Sequence, residues 1–85
     1  MTYEYYVRLF KPGMDPEQPM GVYRAPTGNV FRIEVFRRDF KWHYSEDVSR
    51  KFFNGDTIDI EQVSRETARK ALQNITGKKE DFTDA

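Results

Sequence analysis

The chain has 85 residues, with 14 Lys+Arg balancing 14 Asp+Glu for a formal net charge of zero, and no cysteine. That length suits one hydrophobic core, and without thiols neither a disulfide framework nor a cysteine-ligated metal cluster can brace it. No apolar run approaches the roughly 20 residues of a membrane-spanning helix, and Met1–Tyr5 lacks the basic-then-apolar layout of a secretory signal, so a cytoplasmic protein with no membrane partner is expected.

Hydrophobic residues make up only 38% of the chain, but 5 Tyr, 7 Phe and 1 Trp argue against disorder. Residues 2–10, TYEYYVRLF, alternate with period two. Tyr3, Tyr5, Val7 and Leu9 fall on one face; Glu4, Tyr6, Arg8 and Phe10 fall on the other. This predicts a strand, stopped by Lys11-Pro12-Gly13. Residues 11–19, with Pro12, Pro16 and Pro19, read as a long loop. A second strand is expected over 20–25 and a turn at Pro26-Thr27-Gly28-Asn29. A third strand over 30–37 puts Phe31, Ile33 and Val35 opposite Arg32, Glu34 and Phe36, and pairs with the second as an antiparallel hairpin.

In residues 38–45, Phe40, Trp42 and Tyr44 alternate with Lys41 and His43, which allows a short fourth strand. Ser45 reads as the N-cap of a helix over 46–53, with Glu46 and Asp47 at its positive end, Val48 and Phe52 on one face, and Asn54-Gly55 as its stop. Residues 56–63 form a short strand or extended connector with Ile58 and Ile60 on one side. Ser64 caps a second helix over 65–75, whose apolar stripe is Thr67, Ala68, Ala71, Leu72 and Ile75. Residues 78–85 are expected to form a flexible C-terminal tail.

These elements predict one α+β domain over 1–77: a small three- to four-stranded, mainly antiparallel sheet with two helices packed on one face. The expected core is Tyr5, Val7, Leu9, Phe31, Ile33, Val35, Val48, Phe52, Ile58, Ile60, Ala68, Leu72 and Ile75. On that assignment Phe31→Ala should cost about 3–5 kcal/mol.

The succession YYVRLF, PMGVYR, Trp42, FFNGD and IDIEQVSRETARKAL resembles a set of short uncharacterised actinobacterial proteins. Those run from an aromatic strand through a "GLYR"-like strand to an acidic "ISEEEA" helix. The resemblance spans about Tyr5 to Leu72, departs in the basic, aromatic stretch Arg37–Tyr44, and implies no activity, cofactor or site.

Catalytic chemistry finds little support. His43 is the single histidine, and Ser45 beside it is better used as a helix cap than as a nucleophile. Asp56, Asp59 and Glu61 read as a solvated edge. Asn54-Gly55-Asp56 followed by Asp59 does not match a calcium loop, and no phosphate-binding glycine motif is present. No catalytic residue, metal or cofactor is therefore assigned. Between Arg24 and His43, five basic residues (Arg24, Arg32, Arg37, Arg38, Lys41) face two acidic ones.

With both helices on one face, Tyr6, Phe10 and Phe36 would line an open sheet surface, with Arg8 and Arg32 beside them. Tyr6, Arg8, Phe10, Arg32, Phe36, Arg37, Arg38, Lys41 and Trp42 are thus the candidate binding residues. The expected function is a non-enzymatic interaction module that binds a protein partner or a second copy through aromatic and arginine side chains. Single-stranded nucleic acid bound by the segment 24–44 is the alternative.

Overall fold

The computed structural model describes residues 2–29 and 31–84. Val30, expected to open the third strand, lies outside the described residues, as do Met1 and Ala85. The alternation of the N-terminal segment yields β1 (Tyr3–Arg8), and the next extended segment yields β2 (Gly21–Pro26). They are followed by β3 (Glu34–Phe36), β4 (Trp42–Tyr44), α1 (Glu46–Phe53), β5 (Ile60–Val63) and α2 (Arg65–Thr76). A single 3₁₀ turn, Phe82–Asp84, comes last.

Among the described residues, five strands form one sheet in the order β4-β3-β2-β1-β5, every adjacent pair antiparallel. The α+β class is as expected, with more strands than the three or four read from the sequence. The third strand is shorter than 30–37, because residues 31 and 32 are taken up in the turn and the ladder begins only at Glu34. The Arg32 N–H donates to Asn29 O at 3.3 Å.

The helices do not share a face. β4 and β5 lie on opposite edges, so α1, which joins them, packs across one side of the sheet, and α2 returns over the other. Tyr5, Val7, Leu9 and Val22 pack with Ala68, Ala71, Leu72 and Phe82 on the α2 side. Tyr6, Tyr23, Ala25 and Ile33 are buried on the α1 side, against Val48, Phe52 and Ile60. β1 is apolar on both faces because both are covered.

This corrects part of the expected core. Phe31 is 55% exposed and packs edge-on against Phe53 rather than inside; Ile58 is 84% exposed, and Ile75 is also exposed. Val22, Tyr23, Ala25, Ala71 and Phe82 are buried instead. The tail expected to fray is docked at its far end, where Phe82 and Thr83 are both buried.

Each helix begins as its sequence implies. Ser45 and Ser64 accept hydrogen bonds from the Val48 and Thr67 N–H groups, and α2 ends on Gly77 at φ 70°. The buried Ser49 hydroxyl ties α1 to the sheet, donating to Ser45 O at 2.7 Å and accepting from the Ile33 N–H at 3.0 Å. No described helix is long and apolar enough to cross a membrane.

Candidate functional site

The β3–β4 connection is a tight turn, in which the Phe40 N–H donates to Arg37 O at 2.9 Å and the Arg37 N–H to Lys41 O at 3.0 Å. Asp39 caps it by accepting from the Lys41 N–H. Closing the turn places Phe40 at φ 61°, a left-handed conformation that ordinarily falls to Gly or Asn. The Phe40 ring then stacks on Phe36, centroids 6.4 Å apart and planes 12° apart.

The hairpin and the C-terminal turn of α2 bound an open groove of about 660 Å³. Its apolar wall includes Met20, Phe36, Phe40 and Ile75, and Arg37 and Arg38 extend from the turn at its rim. Met20, Phe40 and Ile75 are large apolar side chains left exposed. None of the lining residues is acidic. The Lys78 ammonium lies 5.7 Å from the Phe40 ring centroid, adding a third cation.

Of the nine residues singled out from the sequence, the fold brings Phe36, Arg37 and Arg38 together at this groove. Lys41 is exposed on the same turn. Trp42 lies beneath it, edge-on to Phe36 at 5.2 Å, with its indole N–H donated to Phe82 O at 2.9 Å.

The shared aromatic surface expected for Tyr6, Phe10 and Phe36 does not exist. Tyr6 is sealed under α1, its ring 5.0 Å from Phe52, whereas Phe36 points to the α2 side. Phe10 lies beyond the end of β1 and is exposed. Arg8 and Arg32 are also apart from the groove: Arg8 pairs with Asp59 at 3.1 Å, and Arg32 stands 5.5 Å over the exposed Tyr44 ring.

Met20, Phe40 and Ile75 were not singled out. Ile75 belongs to the apolar stripe of α2 and is 47% exposed in that helix's last turn. Phe40 is expected in the short strand over 38–45, but β4 begins only at Trp42 and Phe40 lies in the turn before it, at a positive φ for which the sequence carries no signal.

A buried cation braces the hairpin from below. Arg24 is only 6% exposed, with its guanidinium 4.1 Å from the Tyr3 ring centroid and 4.5 Å from that of Trp42. Its Nε donates to Glu34 at 2.6 Å. The basic residues counted together in the sequence thus separate into one structural ion and several solvated ones.

The remaining candidates for chemistry stay dispersed. His43 pairs with the exposed Asp39 at 2.7 Å, a hydrogen bond that holds the Asp39 carboxyl below its ordinary range, while Ser45 is committed to its cap. Among the described residues no three His, Cys, Asp or Glu side chains cluster as metal ligands. Comparison with protein-family models, curated proteins and solved structures found no match.

Proposed function

We propose that this protein is a non-enzymatic interaction module, and that the groove between the β3–β4 hairpin and the end of α2 takes a segment of a protein partner carrying a large apolar side chain flanked by acidic residues. One observation supports this reading above the others: exposed Met20, Phe40 and Ile75 share a groove whose charged lining residues are Arg37 and Arg38. The volume falls within the range of about 300–1,000 Å³ usual for ligand sites. The α2 C-terminus opposes an anion with roughly half a negative charge, but three cations outweigh it.

The test is a titration of the isotope-labelled chain with short synthetic peptides containing one Phe or Leu between Asp or Glu residues. Amide shifts should concentrate at Phe36–Lys41 and Ile75–Thr76. Arg37→Glu/Arg38→Glu should weaken binding at least tenfold, as should exchanging the peptide's acids for Lys. Equal binding of acidic and basic peptides would reject the charge reading.

Single-stranded nucleic acid is the second reading, favoured by Arg37, Arg38 and Lys41 projecting from one exposed turn. An oligothymidylate titrated over a salt series separates the two. Phosphate-driven affinity falls steeply and linearly with log salt, and preference for the oligonucleotide over the peptides would reverse the order.

A further inference from the structure

The segment Asp81–Thr83 is held largely by side chains, each reading a different part of it. The Phe82 carbonyl accepts from the Trp42 indole N–H at 2.9 Å, and the Thr83 carbonyl accepts from the Tyr5 hydroxyl at 3.1 Å. The Phe82 ring is buried against Phe36 and Phe40, with centroids 5.2 and 5.6 Å away. On the flank, Arg65 donates from Nε to the Thr83 hydroxyl at 2.9 Å and reaches the Asp81 carboxylate at 3.7 Å. Asp81 in turn accepts from the Thr83 N–H and hydroxyl.

Among the described residues, no backbone-to-backbone hydrogen bond joins 78–84 to the sheet or the helices. The connecting residues 77–80 are exposed. Here an aromatic pocket, two hydrogen-bond donors aimed at carbonyls and a guanidinium beside a carboxylate engage a short segment as a peptide receptor engages its ligand.

We propose that Asp81-Phe82-Thr83 is a releasable intramolecular ligand, and that the cleft beneath it, formed by Tyr5, Phe36, Trp42 and Arg65, is a second binding site for protein segments with a carboxylate immediately before an aromatic residue. The proposal does not depend on the neighbouring groove, although Phe36 and Phe40 border both. The tethered segment competes with any free one at an effective concentration of order millimolar for a short linker. The unaltered chain therefore binds such segments weakly, and release of the tether exposes the site.

The chain's single tryptophan reports directly. A peptide of residues 78–84, Lys-Lys-Glu-Asp-Phe-Thr-Asp, is titrated against the full chain carrying Phe82→Ala and against the unaltered chain, with Trp42 emission and far-ultraviolet circular dichroism recorded together. The expected result is saturable binding to a folded Phe82→Ala chain, at least tenfold tighter than to the unaltered one. Replacing the peptide's Asp before Phe with Asn should weaken binding severalfold, and replacing its Phe with Ala should abolish it. Absent or equal binding to the two chains overturns the proposal, as does indifference to the Asp. A concentration-dependent dimer of the unaltered chain that disappears in Phe82→Ala would instead assign the cleft to a second copy.

Because Phe82 belongs to the core, hydrogen exchange of the unaltered chain supplies a second, independent decision. The Trp42 indole N–H should exchange at least tenfold faster than the Val7 and Val22 amides, at a rate insensitive to low urea. Exchange only through global unfolding would show that the segment is not releasable.

Discussion

Phe40 holds a left-handed backbone at φ 61° that costs an L-residue about 1–2 kcal/mol. Ring contacts with Phe36 and Phe82 and the cation of Lys78 offset it. Phe40→Ala loses the ring and keeps the strain, whereas Phe40→Gly loses the ring and relieves the strain. The glycine variant should therefore be the more stable of the two by about 1 kcal/mol, read from urea midpoints; the reverse order would show that the turn is unstrained. Arg24 is the residue-scale opposite, a charge retained inside because Glu34 and two ring faces replace its water. Arg24→Ala strands Glu34 and should cost about 3–5 kcal/mol, while Arg24→Met combined with Glu34→Leu should recover most of that loss. Phe31→Ala, with the ring largely in solvent, should cost less than about 1 kcal/mol, against about 2–5 kcal/mol for Ile33→Ala at a fully buried position.

The elements carry their own punctuation. Ser64→Ala removes one cap and should cost about 1 kcal/mol. Ser49→Ala should cost more, about 1–3 kcal/mol, because it leaves the buried Ile33 N–H without its acceptor and frees α1 from the start of β3. Thermal unfolding of the two variants would show this order, and equal losses would mean that water replaces the Ser49 hydroxyl. Strand lengths follow from position: β3 and β4 are three residues each because the turns on either side consume their neighbours, and β4 and β5 leave the two sheet edges short.

At the scale of the whole molecule, two opposed layers of helix make burial the source of its pH response. Burial pushes the Tyr5, Tyr6 and Tyr23 hydroxyls above the ordinary phenol range. Groups raised in the folded state stabilise fully below their unfolded value, near pH 10, and lose that contribution as pH rises through the folded one. Stability measured by urea should therefore fall above about pH 10, less steeply in Tyr5→Phe. Asp81 responds in the opposite direction. Burial alone would raise it, but hydrogen bonds from Thr83 and the charges of Arg65 and Arg69 hold it below the usual carboxylate range. Its contribution is present above about pH 4 and is lost as pH falls through the lower folded value. Trp42 emission should follow that loss in the unaltered chain and be flatter in Asp81→Asn.

Local chemistry made much of this protein legible from its residues in order. Ser45 and Ser64 announce the helix starts, Gly77 announces a stop, and period-two alternation announces β1, because caps, left-handed stops and pleats are decided within a few residues. The opposite placement of the helices was decided only when β4 and β5 took opposite sheet edges, since periodicity tells that two faces of a strand differ but not what covers each. Tyr6 beside Tyr5 carried the signal of a doubly buried strand, and it reads equally as an exposed aromatic face until α1 is in place. The groove and the docked Phe82 depend on residues tens of positions apart, Met20, Phe36 and Ile75 in one and Tyr5, Trp42 and Arg65 in the other. Contacts at that separation come from the closing of the sheet and have no local period to betray them.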